Sequence, residues 1–263
     1  MELEPLFQGL NALDTMTVII FDEFPDMLLN LRNNARHPDD YATEVDNLTV
    51  WLRTLRQNNI GQNRYQFVFC GAINLRKWLG GIGLARRIAD LESLRIPPLG
   101  EDEARVLIDG LIQSMGISVE PDALEFLVSR IKDGPAYYGQ LIIKALRQKG
   151  QRQVTLIEAT GIYNGLIQGD CDSLFQFSSR LDKYLDPEQR ECSKAVLRIL
   201  CDGAMDERGL HEAHFSGVME FDRFQEVVER LIFEGYVLED AADGGKLRFA
   251  SPVLRDWWSR KGF

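Results

Sequence analysis

Apolar residues fall into two kinds of pattern along this chain, short continuous runs near the start and helical stripes further on. Leu3, Leu6, Phe7, Leu10 and Leu13 are spaced three and four apart, which predicts one face of a short helix weakened by Gly9. Met16 to Phe21 is continuous, rich in β-branched residues, and runs into Asp22-Glu23-Phe24-Pro25. A short strand apolar on both faces is predicted there, in the middle of a parallel sheet. Beyond a polar stretch from Arg32 to Asp46, Leu48, Val50, Trp51, Leu52 and Leu55 predict a helix that stops in Gln57-Asn58-Asn59-Ile60-Gly61. Tyr65 to Cys70 gives a second buried strand, ended by Gly71. Strand, helix and strand in that order make a βαβ unit with a right-handed crossover.

Residues 72–92 are mixed and basic, and Leu94-Arg95-Ile96 before Pro97-Pro98 predicts a short third strand. Helical stripes follow at Ala104 to Met115, at Leu124 to Ile131 just after Pro121, and at Tyr138 to Leu146. These three helices predict a small all-helical domain. In the last third, Ala195 to Leu200, Leu210 to Phe215 and Phe221 to Ile232 predict three more helices. Tyr236 to Glu239 and Lys246 to Phe249 flank Asp243-Gly244-Gly245, a strong hairpin turn signal. Three helices and a hairpin predict a winged helix-turn-helix.

Composition narrows the function classes. The chain has 263 residues, of which 45% are hydrophobic and 27% charged, a profile that excludes disordered and collagen-like classes. No apolar run approaches the roughly 20 residues that span a bilayer, and Met1-Glu2-Leu3-Glu4 lacks a basic signal-peptide start, so a cytoplasmic protein with no membrane partner is expected. Four cysteines without a CxxC pair and three histidines predict buried thiols and no zinc site; His211 and His214 read as surface residues. A net charge of −10 gives no general attraction to phosphate backbones. The expected recognition helix carries Asp222, Glu226, Glu229 and Glu234 against Arg223 and Arg230, and residues 190–263 hold 14 acids against 11 bases. Nucleic acid is therefore an unfavourable partner and protein the favoured one. Trp257 and Trp258 are expected to pack the last helix on the wing.

A buried strand emptying into Asp22-Glu23 has the makings of a Walker B site. Magnesium needs a fixed carboxylate near the phosphates, and hydrolysis needs a second one to orient water. Asp22 is the candidate metal residue and Glu23 the candidate catalytic one. Val18 to Pro25, Phe67 to Ile73, Ile96-Pro97-Pro98-Leu99 with Glu103-Ala104, and Asp133-Gly134-Pro135-Ala136-Tyr137-Tyr138 follow one another in the order of a known family. The chain resembles the bacterial and archaeal STAND-type branch of the AAA+ P-loop ATPases over nearly its whole length. That resemblance implies a Walker B strand, a sensor-1 strand ending at Gly71, a helical lid, a Gly-x-Pro element at Pro135 near the nucleotide, and a winged helix. It also implies ATP and magnesium as ligands, Asn74 as a polar sensor, and Arg86 or Arg87 as the group that neutralises γ-phosphate charge.

Three departures change what is expected of this chain. No G-x-x-x-x-G-K-[ST] loop occurs, Ala72 stands where the family has Ser, and Asp133 stands at the first Gly of Gly-x-Pro. The chain thus reads as the back half of such an ATPase, with the N-terminal Walker A part missing and ATP binding weak or absent. The expected fold is a partial α/β P-loop NTPase core with a parallel sheet (residues 1–98), an all-helical lid (99–150), a helical connector (151–189) and a winged helix-turn-helix (190–263). A regulatory switch is the favoured function; a non-catalytic scaffold and a winged-helix DNA-binding regulator are the alternatives. Partner contact is expected through the winged helix or through the open edge at Phe67 to Cys70, where a second copy of the chain is a further possible occupant.

Overall fold

Thr17–Phe21 forms β1 and Tyr65–Phe69 forms β2, and the two pair in parallel with Thr17 opposite Tyr65 and Phe21 opposite Phe69. The fold is taken from a computed structural model that describes residues 16–34, 38–58, 65–71, 75–94, 96–148, 150, 152–168, 172–240 and 243–262. The segment predicted as a helix at Leu3 to Leu13 lies outside them. By internal packing the chain divides into two units, Met1–Leu94 and Arg95–Phe263.

In the first unit, α1 (Phe24–Asn34) follows β1 directly, α2 (Pro38–Asn58) crosses to β2, and α3 (Leu75–Gly81) leads to a 3-10 turn at Ala85–Ile88. The sequence pattern does not predict α1, because Phe24-Pro25 reads as a stop. Pro25 instead occupies the first helical turn, where its missing N–H costs nothing. Helix α2 begins inside the polar stretch from Arg32 to Asp46, earlier than its apolar stripe predicts, because Tyr41 and Val45, which carry its inner face, sit sparsely among polar residues. The core gathers Phe24, Leu28, Val45, Leu52, Leu79 and Ile88 against one face of the strand pair, where Phe21 stacks on Phe69 at 5.2 Å. The other face differs from expectation. Val18, Ile20 and Val68 are 49%, 63% and 42% exposed, so the strands alternate instead of being buried on both sides. Leu94 and Ile96, predicted as strand, belong to no strand and are solvent-exposed.

The second unit is helical with small sheets. Helix α4 (Glu101–Met115) ends at Gly116, whose φ of 64° is a left-handed C-terminal stop. The two-residue strands β3 (Ser118–Val119) and β4 (Gln153–Val154) pair in parallel around α5 (Pro121–Ile131) and α6 (Ala136–Gln148). Thr155 and Glu158 form a reciprocal capping box that starts α7 (Leu156–Gln168). After α8 (Asp172–Tyr184) come α9 (Pro187–Asp202), α10 (Glu207–His214) and α11 (Phe221–Phe233). Asp186 and Asp206 cap the first two of these by accepting from the amides of Gln189 and Gly209.

Strands β5 (Val237–Asp240) and β6 (Lys246–Phe249) then form an antiparallel hairpin, and α12 (Pro252–Lys261) closes the unit. Trp257 and Trp258 are fully buried, with Trp258 near Phe249 of β6. His211 is also buried, contrary to its reading as a surface residue; its Nε2 lies 2.8 Å from the Met219 carbonyl and its ring packs on Phe221 and Phe224. Among the described residues no helix is long and apolar enough to cross a membrane.

Candidate functional site

Register places the acidic pair. Because Phe21 faces Phe69, the chain leaves β1 at Asp22 beside the point where it leaves β2 at Cys70. The junction is tied by backbone: the Cys70 amide donates to the Phe21 carbonyl at 2.8 Å, and the Phe24 amide donates to the Cys70 carbonyl at 2.9 Å. Asp22 and Glu23 are both exposed. Glu23 adopts φ 48°, in the left-handed region that a residue with a Cβ occupies only at a cost of about 1–2 kcal/mol. Its amide donates to Asp22 Oδ1 at 3.0 Å, and its carbonyl accepts from the amides of Asp26 and Met27 as α1 begins. The turn therefore fixes the backbone of both acidic residues at the carboxyl end of a parallel strand pair, the end where open α/β sheets hold ligands.

Gly71 completes this corner. A Cβ there would lie 2.3 Å from Cδ of Pro25, so the close passage of the two chain segments excludes any larger residue without a backbone shift. Pro25 was not singled out from sequence, and nothing in the pattern marks it as a neighbour of Gly71. Asn74, like Ala72, lies outside the described residues.

The two arginines differ. Arg87 donates from Nε and Nη2 to the two carboxylate oxygens of Asp46 on α2, at 2.6 and 3.0 Å, and this pairing holds its guanidinium pKa above the usual value. Its backbone carbonyl accepts from Arg56, which also pairs with Asp90 at 2.8 Å. The Arg86 side chain is exposed. Asp46 lies 41 residues from Arg87 in sequence, too far for any local spacing rule to couple them.

Pro135 lies in the second unit, at the start of α6. The turn before it is held by two backbone bonds to Leu99, from the Asp133 amide at 2.8 Å and to the Gly134 carbonyl at 3.0 Å. Asp133 has φ 63° and, with Glu23, is one of two left-handed non-glycine residues among the described ones. Its carboxylate pairs with Arg248 Nη2 of β6 at 3.2 Å. No group of three or more His, Cys, Asp or Glu side chains suited to hold a metal occurs among the described residues.

The chain is similar to the Walker-type ATPase PABY2304 of Pyrococcus abyssi, at 16% identity and a TM-score of 0.60, over 98% of this chain and 68% of that one. It also aligns with the RuvB Holliday junction branch migration motor of Thermotoga maritima, at 15% identity and a TM-score of 0.43, over 94% of this chain and 72% of that one. The fold assignment rests on the first of these: the chain shares the fold of that protein. No protein-family model matches the sequence, and no curated protein matches it.

Proposed function

We propose that the chain is an ATP-binding regulatory switch of the STAND type within the AAA+ ATPases, weak or inactive in ATP binding by itself. The observation that carries this reading is the turn after β1, where Asp22 and a backbone-strained Glu23 stand exposed at the carboxyl end of the parallel pair. Backbone strain concentrates at functional sites, because the surrounding structure must over-determine it. The donor set fits magnesium, which keeps most of its waters and needs only one or two protein carboxylates. Asp22 is the residue that would hold it, and Glu23 the one that would orient a water; the ion's contribution is to neutralise phosphate charge. Arg86 is the better placed of the two arginines to meet an anion, since Asp46 occupies Arg87. The phosphate cradle is the poor fit, because the sequence has no G-x-x-x-x-G-K-[ST] loop to supply amides and lysine.

In this reading α4–α6 form the lid with Pro135 in its Gly-x-Pro element, and α9–α11 with the β5–β6 hairpin form a winged helix that meets a protein. Both arginines of α11 are already engaged by acids, Arg223 with Glu188 at 2.9 Å and Arg230 with Glu234 at 2.9 Å. That leaves an acidic face, which favours protein over nucleic acid.

Calorimetry with ATP, with and without magnesium, is the test. Magnesium-dependent binding in the millimolar range, lost in Asp22→Asn, is expected. Submicromolar binding indifferent to Asp22→Asn would overturn the assignment of the site. A second reading, a non-catalytic scaffold, is favoured by the missing loop and gains if no magnesium-dependent binding occurs at all.

A further inference from the structure

A cavity of about 420 Å³ lies within the second unit, between α5, α7, α9 and α12. This is within the roughly 300–1,000 Å³ typical of small-molecule sites. Its charge is opposite to that of the chain, which is −10 in all: Arg130, Arg255 and Arg260 line it, against the single carboxylate of Asp256. Burial first and the neighbouring Asp202 second raise the pKa of the Cys201 thiol, and Asp202 does not line the cavity.

Asp256 organises these groups. Its Oδ2 accepts from the Tyr163 hydroxyl at 2.8 Å and from Arg130 Nη1 at 3.4 Å, and its Oδ1 accepts from Arg255 Nε and Nη2 at 3.0 and 2.8 Å. The carboxylate is thus surrounded by donors and holds the guanidiniums in place. Arg130 also stacks over the rings of Phe126 and Tyr163, at 4.9 and 5.4 Å. Arg260 Nη2 donates to Asn164 Oδ1 at 3.1 Å, a neutral partner that leaves its charge unbalanced. Nη1 of Arg255 and Nε and Nη1 of Arg260 have no hydrogen-bond partner among the described residues. Thr160, Asn164 and Ser259 add hydroxyl and amide groups to the wall.

We propose that this cavity binds a small phosphate monoester with a hydroxylated body, the class of a sugar phosphate. Arg255 and Arg260 together offer two adjacent guanidiniums with donors to spare, which match a phosphate dianion better than a monocarboxylate. The cavity is larger than a bare oxyanion needs, and its hydroxyl and amide lining suits a polyhydroxylated remainder. The phosphate sits against Arg255 and Arg260, and the hydroxyls against Thr160, Asn164 and Ser259. Because the walls come from α5, α7, α9 and α12, a bound ligand braces α5 and α7 to the helices flanking the hairpin. The site is independent of the acidic turn in the first unit.

The test is calorimetric titration of the full chain at low salt with ribose 5-phosphate, ribose and inorganic phosphate. Saturable one-to-one binding of ribose 5-phosphate, tighter than that of inorganic phosphate and absent for ribose, is expected. Arg255→Gln/Arg260→Gln should weaken it at least about ten-fold, the loss expected for charge-assisted hydrogen bonds. Asn164→Asp, which keeps the side-chain volume and sets a negative charge beside Arg260, should do likewise even if the double variant fails to fold. Lys144→Gln, on the exposed side of α6, should leave binding unchanged. No saturable binding at millimolar ribose 5-phosphate, or equal loss in Lys144→Gln, overturns the site. Inorganic phosphate binding as tightly as the sugar phosphate overturns the hydroxylated ligand.

Discussion

Glu23 and Asp133 adopt the same left-handed backbone in two unlike settings, and the difference separates strain that serves the fold from strain available to chemistry. At Asp133 the turn is closed by two bonds to Leu99 and the carboxylate is consumed by Arg248. The carboxylate that departs from the family's Gly-x-Pro pattern is an anchor to the β5–β6 hairpin. At Glu23 the backbone is tied just as firmly, through Asp22, Asp26 and Met27, while the carboxylate stays exposed. Each turn also has a glycine pressed against a neighbour. A Cβ on Gly71 would meet the Pro25 ring at 2.3 Å, and one on Gly134 would meet Tyr138 at 2.9 Å and Ser251 Oγ at 3.0 Å.

The glycines give the largest expected effect. Gly71→Ala should destabilise the first unit by about 2 kcal/mol, because a proline ring cannot swing aside, whereas Gly134→Ala should cost about 1 kcal/mol, its contacts with Tyr138, Ser251 and the Ile131 carbonyl being longer, at 2.9–3.2 Å. Hydrogen exchange at the Phe24 and Cys70 amides reads the first, and exchange at the Leu99 amide the second. Equal protection losses would remove the distinction between the two corners.

Next in size is Glu23→Gly. Relief of the left-handed backbone, less the entropy glycine loses on folding, should raise stability by about 0.5–1 kcal/mol while leaving magnesium-dependent ATP binding, which rests on Asp22, in place. Asp133→Gly should leave stability within about 0.5 kcal/mol, since the same relief is offset by loss of a partly exposed ion pair. Denaturant midpoints of the two variants compare them directly. A stabilised Asp133→Gly would show that the Arg248 pair contributes nothing to the fold.

The smallest effect concerns acid. Hydrogen bonding from Arg56 holds the Asp90 carboxyl below the usual carboxylate range, more than burial raises it. A lowered folded-state pKa means that the pair's stabilisation is complete above the ordinary aspartate pKa and is lost as pH falls through the folded value. Acid should therefore loosen the 3-10 turn from α2 by a few tenths of a kcal/mol, given the solvent exposure of Asp90. Arg56→Gln should remove that slope and leave the Glu23 turn unaltered. Amide shifts followed by NMR between neutral pH and pH 3 would check both.

Much of this architecture is legible in the residues, and the gaps have physical causes. The parallel pairing of Thr17–Phe21 with Tyr65–Phe69 follows from two β-rich runs joined by a helix, and the helices at Glu101–Met115, Pro121–Ile131 and Phe221–Phe233 follow from their apolar stripes. Helix α1 escapes because a proline in the first turn and a proline that ends a strand look alike in sequence. The exposure of Ile20 and Val68 escapes because an apolar run reports what a strand can bury, not what covers it. The position of Asp22 and Glu23 is readable, but the left-handed turn is not, since no residue type here signals it. Pairings such as Arg87 with Asp46, or Tyr163 with Asp256 across 93 residues, depend on tertiary approach alone.

Helix α12 presents arginines to the cavity and buries two adjacent indoles, whose ring centroids are 6.0 Å apart with planes 67° from parallel. Two indole transitions held so close and so steeply inclined couple into a chiral pair, which gives the second unit a near-ultraviolet circular dichroism band of its own. Trp51 and Trp78 belong to the first unit and are only half-buried, so their emission is open to aqueous quenchers while that of Trp257 and Trp258 is shielded. The molecule is in this way optically partitioned: iodide or acrylamide silences one unit's indoles and leaves the other's, and each unit's unfolding can be followed in the intact chain with no added label.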